Sequence, residues 1–114
     1  MILPLLIALT AAPADIPASA AVWQQRPPGK RLATIPPMGE EGFSPVRFDV
    51  DLRCRITDPA GHVHCITVGE SPAGYGVGAR TAAAFTRFAV LDMRRTPGSA
   101  PGRVVLVHYR FVQD

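Results

Sequence analysis

Residues 46–68, VRFDVDLRCRITDPAGHVHCITV, constrain this chain more than any other stretch. Phe48, Val50, Leu52, Cys54 and Ile56 alternate with Arg47, Asp49, Asp51, Arg53, Arg55 and Thr57. A period of two marks a strand with one buried and one solvated face. Asp58-Pro59-Ala60-Gly61 ends the run with turn chemistry, because proline presets φ and glycine accepts a positive one. His62 to Val68 then returns as a second strand. Placing Thr57 opposite His62 sets Ile56 against Val63, Arg55 against His64, and Cys54 against Cys65. Directly opposed residues lie about 4.5–5.5 Å apart at Cα, within reach of a disulfide. The two cysteines of the chain are therefore predicted to form a structural bridge across the hairpin. A redox pair has the tighter C-x-x-C spacing at a helix start, which is absent here.

A structural disulfide belongs to an oxidising compartment, and the first residues point the same way. Met1 to Ala12, MILPLLIALTAA, is apolar and uncharged beyond the α-amino group. Ala18-Ser19-Ala20 offers a small-residue cleavage site, with Ala12-Pro13-Ala14 as a second. Residues 1–20 read as a secretory signal peptide, and retention of this leader would instead tether the chain to a membrane. The apolar run is shorter than the ~20 residues a span requires, and Pro4 interrupts it. What remains suffices for one small domain. A domain of this size buries only about 60–65% of its unfolded surface, so a cross-link matters to it. The formal charge is +3, with the basic residues scattered rather than blocked, which gives nucleic-acid binding little support.

Prolines 27, 28, 36 and 37, with Pro45 just beyond, make residues 21–44 an extended, partly polyproline-like linker or arm. Trp23 and Phe43 are its residues most suited to touch the domain, which is placed at 45–114. Gly69 to Gly78, with Tyr75 at its middle, reads as a loop. An alanine-rich helix is predicted from Ala79, with Ala79, Ala82, Ala83, Phe85 and Val90 as candidates for its packed face. A short strand follows within Ala89–Met93, then a loop with Pro97, Gly98, Pro101 and Gly102. The last strand is Arg103 to Val112, with Val105, Val107, Tyr109 and Phe111 on one face. Val104, Leu106, His108 and Arg110 occupy its other face. The predicted class is α+β: a small three-stranded antiparallel sheet with a helix packed on one face.

Chemistry-bearing patterns are sparse. His62 and His64 share one strand face while Cys65 points the other way, and a closed zinc shell needs four ligands. Gly74-Tyr75-Gly76-Val77-Gly78 lacks the Lys-Ser/Thr end of a phosphate-binding loop and the parallel context of a dinucleotide fold. Ser44, Ser71 and Ser99 sit beside prolines or in turns, away from any nucleophile elbow. Asp49 and Asp51 alternate with arginines as a cross-strand charge pattern. No enzyme, metal, cofactor or small-molecule substrate is implied.

The ordered set of elements resembles the C-terminal domain of the TonB family of energy transducers. The resemblance covers about residues 45–112 and is carried by three segments. These are the hairpin VRFDVDLRCRITDPAGHVHCITVGESP, the alanine-rich helix ending in TRFAV with its Arg87-Phe88 pair, and the terminal strand GRVVLVHYRF. The membrane anchor, long Pro-rich spacer and opening Tyr-Pro pair of a full transducer have no counterpart here. The resemblance implies a periplasmic module that captures an extended peptide of an outer-membrane transporter by strand addition, in support of energised transmembrane transport. Residues 103–111 would supply the main-chain hydrogen bonds, with Arg103, His108 and Arg110 biasing the choice of peptide. The same edge could instead pair with a second copy as a homodimer. The alternative function is an exported structural or accessory envelope domain without a transport role.

Overall fold

The structure is a computed structural model, and it describes residues 14–27 and 46–113. Strand β1 is Trp23–Gln25, β2 Val46–Ile56, β3 Val63–Ser71, helix α1 Val77–Phe88, β4 Val90–Leu91 and β5 Val104–Gln113. The main sheet is antiparallel in the order β3-β2-β5, and β1 pairs with β4 in a second, two-stranded sheet. With α1 packed on the main sheet, this is the α+β layer that the hydrophobic pattern predicts.

The register of β2 and β3 follows from the turn. Ile56 faces Val63, Arg55 faces His64, and Cys54 faces Cys65. The cysteines form a disulfide, with their Cα atoms 4.0 Å apart. Asp58 fixes the turn by accepting hydrogen bonds from the backbone N–H groups of Ala60, Gly61 and His62 at 3.0–3.1 Å. His62 Nδ1 lies 2.7 Å from its second oxygen. The backbone hydrogen bond from His62, then the one from its side chain, hold the Asp58 carboxyl below the usual aspartate range. Gly61 adopts φ +101°, and an added Cβ would lie 2.1 Å from the Leu91 carbonyl oxygen. Only glycine lets β4 come this close, with Leu91 N–H donating to Gly61 O at 2.8 Å.

The second strand extends past Val68 to Ser71, because a bulge between Asp51 and Leu52 resets the pairing so that Leu52 faces Thr67 and Asp51 faces Gly69. The helix also begins earlier and turns a different face inward than alanine spacing suggests. Val77, Gly78, Thr81, Ala82 and Phe85 are buried, while Ala79 and Ala83 are exposed. Thr81 can sit inside because its hydroxyl donates to Val77 O at 2.8 Å, so a residue that reads as polar completes the apolar stripe. Val90 lies in β4 rather than on the helix.

The core lies between α1 and the inner sheet face, formed by Phe48, Val50, Leu52, Cys54 and Ile56 with Val63, Cys65, Val105 and Val107. Trp23, Phe85, Tyr109, Phe111, Phe48 and Tyr75 form a chain of neighbouring rings, with successive centroids 5.4–5.9 Å apart. Residues 14–27, which composition assigns partly to a leader and partly to a linker, pack against this domain. Ile16 is 3% exposed within the core cluster. Trp23 contacts Phe85, and the Val22 backbone bonds the Thr96 hydroxyl and Asp92 N–H. Phe43 lies outside the described residues.

Candidate peptide-docking edge

The two outer edges of the main sheet are finished differently. Alternation of the ladder turns the N–H of Cys65 away from β2, and Thr86 Oγ1 on the helix accepts it at 2.9 Å. At the start of β3, His62 bridges Val90 and Gly61 O accepts from Leu91. The helix and β4 thus cover the first half of that edge, up to Cys65.

On β5, the outward groups fall into two stretches. Ile16 forms a parallel bridge with Val105. Its N–H donates to Val104 O at 2.8 Å, and its carbonyl accepts from Leu106 N–H at 2.8 Å. Asp15 pairs with Arg53 of β2 at 3.0 Å, and Arg103 donates to Ala14 O at 2.7 Å. Beyond this bridge the β2–β5 register is regular from Leu52–Val107 to Val46–Gln113. Since Leu106 N–H points outward, the alternation of an antiparallel ladder sends the N–H groups of His108 and Arg110 outward as well. Neither has a backbone partner among the described residues. Val107 N–H, in contrast, points into the ladder opposite Leu52.

The side chains of 103–111 sort cleanly. Val105 and Val107 are buried, while Tyr109 and Phe111 are half-buried on the same face. Val104 and Leu106 are half-buried on the other face, where His108 and Arg110 are exposed. Arg103, His108 and Arg110 already hold partners. Arg103 also donates to Gly98 O at 2.6 Å. His108 Nδ1 lies 2.6 Å from Asp51, and Arg110 Nε lies 2.7 Å from Asp49. That hydrogen bond from Arg110 is the main reason the Asp49 carboxyl is held below its usual range; desolvation, the next largest effect, opposes it, and the charges of Arg110, His108 and Arg47 add to the lowering. Arg55, on the same outer face, has no ion-pair partner among the described residues. Ile66, Val68 and Val112 are each 53% exposed.

Other chemistry finds little footing. Among the described residues there is no cluster of three metal-ligating side chains. Of the glycine-rich run, Gly78 in the first turn of α1 is used for close packing: a Cβ there would lie 2.6 Å from Glu70 Oε1 and from Thr67 Cγ2. The first turn of the helix therefore faces an internal carboxylate rather than an open anion cradle. Among the described residues no helix is long and apolar enough to cross a membrane. Asp15 and Ile16 escape sequence reasoning because they sit in a leader-like region. The available signal is a lone Asp-Ile-Pro, an aliphatic residue between a carboxylate and a strand-ending proline. No family model, curated protein or solved structure matches this chain.

Proposed function

We propose that the chain is an exported, TonB-like binding module that takes up an extended segment of an outer-membrane transporter by strand addition to β5, in support of energised transport. The observation that carries this reading is the stretch of the β5 edge at His108 and Arg110, whose N–H groups have no backbone partner among the described residues. An edge strand with free N–H and C=O groups is a template for an incoming strand, and alternate side chains then set specificity. The disulfide is consistent with an oxidising compartment, and we place the module in the periplasm.

Capture of transporters from an outer-membrane extract by the immobilised chain tests the proposal. His108→Pro removes an outward donor while sparing the β2 ladder, a position where edge strands tolerate proline. It should abolish capture, whereas His108→Ala, which loses the same side chain, should retain it. Capture by a folded His108→Pro chain at the wild-type level would rule out this edge.

A second reading, an exported structural domain with no transport role, is favoured by one specific observation: the domain's own Ile16 already pairs with Val104 and Leu106. Failure of the wild-type chain to capture any transporter would shift the weight to it.

A further inference from the structure

The segment Ala14–Pro17 is itself an extended peptide bound to β5, and its contacts spell out what that part of the edge recognises. Two main-chain hydrogen bonds bracket Val105, both at 2.8 Å. Ile16 enters the core cluster and is 3% exposed. One residue earlier, on the opposite side of the extended chain, the Asp15 carboxylate meets Arg53 at 3.0 Å. Residue 17 turns its backbone away from β5, and Ala18, the next residue whose N–H could pair, leaves in the 3-10 turn Ala18–Ala20. Pairing is therefore one bridge long. Main-chain pairing, an aliphatic anchor and a carboxylate contact are the three parts of recognition by strand addition.

We propose that residues 14–17 are a resident strand occupying a second half-site on β5, adjoining the open stretch at His108 and Arg110, and that this half-site accepts an extended peptide with a carboxylate one residue before a branched aliphatic. The inference rests on the strand-addition reading, and on a leader that is cut at Ala12-Pro13-Ala14 or retained, since cleavage after Ala20 would remove Ile16; it fixes the peptide chemistry and adds a competitor. The resident strand is held close by the anchoring of Trp23 to Leu91 in the neighbouring sheet. A segment tethered over so few residues acts at an effective concentration on the order of millimolar. The apparent affinity for an outside peptide falls by the fraction of molecules in which the half-site is open. An incoming peptide gains the open stretch first and the half-site when the resident strand leaves. The adjoining groups, Arg53 and Arg103, favour an acidic residue there and disfavour a basic one.

The test uses the full chain and a fluorescent synthetic peptide of residues 14–20, ADIPASA, so it needs no transporter. Ile16→Asp unseats the resident strand, and the variant should bind this peptide at least about tenfold more tightly than the wild-type chain. A control peptide with Asp in place of the isoleucine should bind neither. Equal binding by the two chains, equal binding of the two peptides, or no binding to a folded Ile16→Asp chain would overturn the proposal. Should Ile16→Asp lose its near-ultraviolet dichroism, the surface variant Asp15→Lys decides: it should bind peptide ADIPASA more tightly than wild type, and Asp15→Lys combined with Arg53→Asp should return to the wild-type value. No change in Asp15→Lys would overturn the proposal in that case. A wild-type dimer that dissociates on Ile16→Asp substitution would assign the edge to a second copy's strand and overturn occupancy within one chain. Failure to capture transporters, with these peptide results intact, would remove the partner proposed above and leave the resident strand standing.

Discussion

The β3 edge and the β5 edge belong to one small sheet, yet they are finished by different means. The first half of the β3 edge is covered by a helix hydroxyl at Cys65 and by β4 at Gly61 and His62. On β5 the seal is a single bridge made by Ile16, and His108 and Arg110 beyond it have no backbone partner among the described residues. Exposed strand edges invite unwanted pairing, so a sheet that closes one edge with a helix has a physical reason to leave the other available only where pairing is useful.

Substitution at Gly61 is expected to break this comparison most strongly. Gly61→Ala places a Cβ 2.1 Å from the Leu91 carbonyl oxygen at φ +101°. Strain and loss of the β4 contact together should cost at least about 3 kcal/mol in urea unfolding. Removing the disulfide behind the same edge, as Cys54→Ala with Cys65→Ala, should cost about 2–3 kcal/mol, the range for a short loop. A β5-side pair sharpens the contrast: Ile16→Ala empties a buried site and should cost about 2 kcal/mol, near the low end for core aliphatics. Val112→Thr, on the open stretch, should cost less than about 0.5 kcal/mol. The smallest effect is electrostatic. The folded Asp58 carboxyl titrates below its unfolded value, so its contribution is present above about pH 3.9 and is lost as the pH falls through the lower folded value. Asp58→Asn keeps an acceptor oxygen but not the charge. Its melting temperature should lie below wild type at pH 6, with the gap closing as the pH is lowered towards 3.

The hairpin, its register and the disulfide were legible because alternation, turn chemistry and cysteine position are local and agree with one another. The helix was legible as an element but not in its phase, since Thr81 hides its polarity in a bond to its own helix. The extension of β3 to Ser71 depends on a bulge opposite Asp51 and Leu52, which no composition signal marks. Arg103, His108 and Arg110 are read from the sequence as the side chains that bias the choice of peptide; in the structure all three have partners within the chain, His108 and Arg110 through cross-strand register and Arg103 through the carbonyls of Gly98 and Ala14, which local sequence does not mark. The resident strand was least legible. Its pairing with Val105 spans most of the chain, and a single Asp-Ile-Pro inside a leader-like stretch carries no periodicity from which to infer it.

Residue-resolved amide hydrogen exchange on the isolated chain tests the half-open edge most directly. Leu106, His108 and Arg110 present their N–H groups along the same outer side of β5, so they differ in partner rather than in strand position. Leu106 N–H, bonded to Ile16, should exchange at least about tenfold more slowly than the N–H groups of His108 and Arg110. Protection of His108 and Arg110 equal to that of Leu106 would mean that this edge is closed along its length, and would contradict the account.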